Sequence, residues 1–287
     1  MNQNQKSDGG SSFRTASATR LVTGLQNRAR EQIGSAAFGV DGRLVDWRHS
    51  LLPVFATSEY ESLLSLVDAS RRRQPENGAA IALNSFLQWQ RQPEGLNLAG
   101  LHGFDKLTFD ARCPTGVRGT PPHMDMIAAK GSSIVAVTAR GADYVLRKSS
   151  VLAAAYDSVE VSPNMRLWFD LLPALRQNHD GYRYVDVAGM LKFALGLART
   201  FPNHDLTLLY LYWEPVDAAE HEIFTQHRSE LSRLSRQVEG SAVRFVSQSF
   251  DGLWSSWIEH GDEPWLRELV AQLRGRYDLA IRSLHVL

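Results

Sequence analysis

The hydrophobic positions along this chain keep two rhythms. From about Leu96 onward, short apolar runs predict strands, and apolar residues spaced three and four apart predict helices between them. Leu107, Phe109 and Ala111 alternate with polar neighbours, as on one face of a strand. "HMDMIAA" and "SIVAVTAR", joined by "KGS", predict an antiparallel hairpin. "DLTLLYLYWEP" is apolar almost throughout, as expected of a strand covered on both faces, and "AVRFVSQSF" predicts a further strand. Asp186 stands as an N-cap before a stripe of Val187, Met190, Leu191, Ala194, Leu195 and Ala198, the clearest helix in the chain. A surface helix ending at Gly240 and a closing helix over "PWLRELVAQLRGRYDLAI" follow.

Nearer the N-terminus, "TSEYESLLSLVDASRRR" predicts one helix from an N-cap at Ser58, with Glu59 and Glu61 in its first turn and Arg71, Arg72 and Arg73 as its solvated end. "GAAIALNSFLQW" predicts the next. Between the hairpin and the Asp186-capped helix, Pro163 and Pro173 break a helix-like region. Alternating strands and helices predict an α/β protein, a central sheet flanked by helices.

Composition changes this picture little. The chain has 287 residues, enough for a full core, and 44% of them are hydrophobic. Residues 1–20 are polar and rich in Ser, Thr and Gly, which predicts a disordered tail before one domain over 21–287. Thirty-one basic and thirty-one acidic residues cancel, so net charge gives no support to nucleic-acid binding. The lone Cys113 excludes an internal disulfide and a cysteine-built metal site. No apolar run approaches the roughly 20 residues that span a bilayer, so no membrane partner is expected and a cytoplasmic location is the default.

The candidate chemistry lies in the hairpin. Asp125 sits in its first strand, and Thr138 and Arg140 share one face of its second because side chains alternate with period two. Metal-dependent phosphodiester hydrolysis places an aspartate on one strand and a carboxylate and a lysine two positions apart on the next. The two acids hold the metal, and the lysine orients water or offsets developing charge.

The blocks "FDARCPTGVRGTPPHMDMIAA" and "IVAVTARGADYV" resemble a bacterial-type branch of the PD-(D/E)XK, restriction-endonuclease-like nucleases, with a Pro-Pro-x-x-Asp strand, a Glu-x-Lys strand and an acidic-Tyr-Leu segment. With "ALNSFLQW", "FALGLARTFP" and "LTLLYLYWEP", the resemblance covers roughly residues 45 to 280. It implies a restriction-endonuclease-like core with a central mixed β-sheet, DNA as substrate, and Mg²⁺ or Mn²⁺ as cofactor with Asp125 as its ligand. Asp125 matches the family's aspartate and Asp143-Tyr144-Val145 its acidic-Tyr-Leu segment. Thr138 stands where the glutamate belongs, and Arg140 where the lysine belongs. The catalytic positions Asp125, Thr138 and Arg140 thus form a degenerate motif short of one anionic ligand. Arg140 keeps a positive charge but stays protonated and cannot act as a base.

Asp110, Asp143 and Glu61, with Glu59, are candidate substitute acids. His123, two before Asp125, and Lys192 and Arg199 on the strong helix are candidate nucleic-acid contacts, against a solvated helix face as the plainer reading. Three functions stay open: a nuclease-fold protein with an eroded site, a working Mg²⁺-dependent endonuclease with a relocated carboxylate, and a non-catalytic scaffold or regulatory protein.

Overall fold

The computed structural model describes residues 8–55, 60–64, 67–146, 150–177 and 181–281. It is an α/β fold around one five-stranded mixed sheet in the order β1-β2-β3-β4-β5. The strands are β1 (Lys106–Arg112), β2 (His123–Lys130), β3 (Ser133–Arg140), β4 (Asp205–Tyr212) and β5 (Val243–Ser249). The first three form an antiparallel meander, whereas β3, β4 and β5 run parallel. Gly131, at φ +50°, makes the tight β2–β3 turn, a conformation that glycine adopts without steric cost. β4 is buried at every position from Leu206 to Tyr212, because parallel neighbours and helices leave neither of its faces to water.

The helices are α1 (Asp8–Ile33), α2 (Glu61–Leu64), α3 (Gly78–Phe86), α4 (Arg166–Phe169), α5 (Leu172–Arg176), α6 (Val187–Thr200), α7 (Glu222–Gln237), α8 (Phe250–His260) and α9 (Pro264–Tyr277). α3 packs on β2 and β3 and meets α9, while α6 packs on β4 and β5 with α4 and α5 against it. The Asp186 carboxylate caps α6 by accepting from Gly189 N at 3.0 Å, as the sequence predicts, and also accepts from Ser150 N and Oγ. Gly240 follows α7 at φ +81°. Tyr210, Tyr212 and Trp213 are core residues. No helix among the described residues is long and apolar enough to cross a membrane.

Three expectations change. α1 begins at Asp8, well inside the segment whose composition suggests a tail, and buries Leu21, Leu25 and Ala29 at four-residue spacing. Among the described residues of the helix expected over 58–73, the structure has the single turn α2 and a 3₁₀ turn, Ala69–Arg72. Asp68 caps the second turn, its side chain accepting from Ser70 N at 3.0 Å. Ser58 and Glu59 lie outside the described residues. α8 is an additional helix, opening directly after β5 where the Ser249 hydroxyl accepts from Gly252 N.

A second buried polar group lies beyond β4. His227 of α7 is fully buried, stacks on Tyr144 with centroids 4.0 Å apart, and holds Nε2 3.3 Å from the Tyr210 hydroxyl. Burial holds its pKa down at about 3.

Candidate functional site

Asp125 lies on β2 one position beyond Met126–Val137, the last β2–β3 register pair on that side. The strands part there, and the carboxylate takes over from the ladder: Ala139 N donates to Asp125 Oδ2 at 2.7 Å. The side chain is 1% exposed, so its other oxygen also needs a partner. That partner is Arg71, whose Nη2 donates to Oδ1 at 2.6 Å.

Arg71 also reaches β1. Its Nη1 donates to Asp110 Oδ1 at 2.8 Å, so one guanidinium spans two carboxylates. Arg72 donates to both oxygens of the same aspartate, at 2.7 Å from Nη1 and 3.1 Å from Nη2, and Asp68 N adds a further bond at 2.7 Å. Arg72 Nη1 additionally ties back to Asp68 O at 2.9 Å, which closes the 3₁₀ turn on its own guanidinium. Asp110 adopts φ +52°, a left-handed conformation that aspartate tolerates better than most residues. The Arg71–Arg73 run is therefore not a solvated helix end. Arg72 is fully buried, and Arg71 is 27% exposed. Burial pulls the Arg71 pKa down, but the Asp125 and Asp110 carboxylates outweigh it and leave it above its ordinary value.

The other motif positions do not join this network. Thr138 is fully buried, and its hydroxyl has no hydrogen-bond partner among the described residues. The Arg140 guanidinium lies over the Phe193 and Tyr210 rings at 5.9 Å from each centroid and donates to Ala139 O; it makes no ion pair with Asp125. Asp143 is exposed in a 3₁₀ turn and not turned inward. Glu61 is exposed on α2. Of the candidate acids among the described residues, Asp110 alone is joined to Asp125 by a shared partner.

Of the candidate nucleic-acid contacts, His123 is half-buried beside this network, its pKa lowered by burial and by Arg71 and Arg112. Lys192 Nζ donates to Val151 O at 2.6 Å, and Arg199 Nη1 donates to Thr115 O, so both fasten α6 to neighbouring loops.

A divalent ion needs oxygen lone pairs free to face it. Asp125 has given one oxygen to a backbone N–H and the other to a guanidinium, while Asp110 accepts from four donors. Among the described residues, no group of three or more His, Cys, Asp or Glu side chains is placed to hold a metal. In this arrangement the residues do not fit Mg²⁺ or Mn²⁺. The cation between the strands is instead Arg71, which spacing arguments on the hairpin pass over because it arrives from a turn 54 residues upstream. Compared with protein-family models, with curated proteins and with solved structures, the chain gives no significant match in any of the three.

Proposed function

We propose that this chain is a restriction-endonuclease-like protein that does not hydrolyse phosphodiesters and serves as a structural or regulatory scaffold. The observation that carries this reading is the Arg71 guanidinium on Asp125, where the resemblance expects a metal ion. Motif spacing supports the family assignment: Asp125 on β2, with Thr138 and Arg140 two apart on the antiparallel β3. A threonine supplies no anionic ligand, and an arginine supplies no base near neutral pH. The two basic α6 side chains are engaged with carbonyls, and the formal net charge is zero, which favours a scaffold over a DNA-gripping protein.

The relocated-carboxylate reading has Asp110 in its favour, since it opposes Asp125 and shares Arg71 with it. Against it stand the two guanidiniums that already neutralise the pair.

The test is cleavage of plasmid and single-stranded DNA with Mg²⁺ or Mn²⁺. The expected result is no cutting above the protein-free control, together with negligible DNA affinity even at low salt. Robust cutting by the wild type, lost in Asp125→Asn, overturns the reading.

A further inference from the structure

Asp125 bonds Ala139 near the end of β3, and the start of that strand carries a second set of polar groups. Ser133 of β3 pairs with Asp205 of the parallel β4, and Thr207 of β4 pairs with Arg244 of the parallel β5. Paired positions point the same way, and so do positions two apart on one strand, so these four side chains share one sheet face. All four line an open cleft of about 710 Å³, a volume typical of small-molecule sites. Met165, Ala198 and Pro202 add apolar surface to it.

The two charges in this cleft are not paired with each other. Arg244 donates from Nε to Thr207 Oγ1 at 3.3 Å and from Nη2 to Ala99 O at 2.9 Å, which fixes its guanidinium and leaves Nη1 without a partner among the described residues. Thr207 is 5% exposed, and its hydroxyl proton stays free to donate. Asp205 lies two residues before Thr207, about 7 Å along the strand. Among the described residues its exposed carboxylate accepts no hydrogen bond and forms no ion pair. An unrestrained arginine would swing toward a carboxylate so close, but here Thr207 and Ala99 hold it back. His204 is an independent observation: it lines the same cleft, and its Nδ1 is buried with no partner among the described residues.

We propose that this cleft binds a small zwitterion, a free α-amino acid, whose ammonium group donates to Asp205 and whose carboxylate accepts from Arg244 Nη1 and the Thr207 hydroxyl. An α-amino acid carries both charges on one carbon and, with a hydrogen bond at each end, bridges two fixed charges of this spacing. The apolar surface beside them favours an aliphatic side chain. The site lies at the opposite end of β3 from Asp125 and does not rest on the scaffold reading.

The test is thermal unfolding and calorimetry of the full-length chain with each of the twenty common α-amino acids. The expected result is a saturable rise in Tm for at least one aliphatic amino acid, half-maximal below about 1 mM. Its N-acetyl derivative, which lacks the ammonium, and its carboxamide, which lacks the carboxylate, are each expected to bind at least about tenfold more weakly, as the loss of one charge-assisted hydrogen bond requires. Asp205→Asn and Arg244→Met are each expected to weaken the parent amino acid by a similar factor. No Tm rise with any of the twenty at about 10 mM overturns the proposal, as does binding that survives either variant or is matched by either blocked derivative. Should Arg244→Met not fold, Arg244→Gln takes its place, and should neither fold, the carboxamide decides for that end of the ligand.

Discussion

Replacing Asp110 by asparagine keeps the shape of the side chain and removes its charge. Asparagine also tolerates the left-handed backbone at this position, so φ +52° does not confound the change. What remains is the Arg72 guanidinium, fully buried, facing a neutral amide in place of a carboxylate that accepted two of its N–H groups. Breaking a buried ion pair by removing one partner costs about 3–5 kcal/mol, most of it the uncompensated charge left behind. For 287 residues, an unfolding entropy of about 2.1 cal/mol/K per residue gives roughly 0.6 kcal/mol/K, so Tm falls by about 5–8 °C. Equilibrium urea unfolding of the wild type, Asp110→Asn, Arg72→Met and the double variant reads this directly. The double variant is expected to lose less than the sum of the singles, by at least about 1 kcal/mol, because the second change removes the stranded charge. A loss below about 1 kcal/mol for Asp110→Asn, or strictly additive losses, refutes the view that this pair holds β1 to the 3₁₀ turn.

Three other outcomes follow from particular residues. Asp186→Ala removes the α6 N-cap and both Ser150 contacts and is expected to cost about 1–2 kcal/mol in urea unfolding; no loss contradicts the capping role. Gly196→Ala would set a Cβ 2.3 Å from Cys113 O, and a shift of α6 away from that carbonyl is expected to cost about 1–3 kcal/mol; an unchanged Tm contradicts it. His227 is held near pKa 3 when folded against an ordinary 6.5, so between these values the unfolded chain binds more protons and stability falls as pH falls. Its contribution reaches about 1.4 kcal/mol per pH unit; the stability of the wild type relative to His227→Phe is expected to decline from about pH 7 to about pH 4, and a constant difference contradicts this.

The parts of the fold legible in the sequence are those set by local pattern. The β2–β3 hairpin, the apolar β4 and the Asp186-capped α6 each follow from residues within one element. α8 carries its own helical spacing in Phe250, Leu253, Trp254 and Trp257. The apolar run of β5 masks it, because Ser249 both ends the strand and caps the helix. Asp68 is similarly ambiguous, fitting a helix interior by spacing but acting as the N-cap of a 3₁₀ turn through its side-chain bond to Ser70. The strand position of Asp125 was readable from its neighbours, and that of Asp110 as an acid on the preceding strand. Arg71 and Arg72 were not. A run of three arginines looks solvated until its partners are known, and those partners lie 38, 39 and 54 residues away on two strands.

The most direct test of the central claim is the anomalous scattering of crystals grown with Mn²⁺. With Arg71 engaging Asp125, the map is expected to show no ion at Asp125 and Arg71 Nη2 still within hydrogen-bond distance of Asp125 Oδ1. A fully occupied Mn²⁺ ligated by Asp125, with Arg71 displaced into solvent, would contradict it.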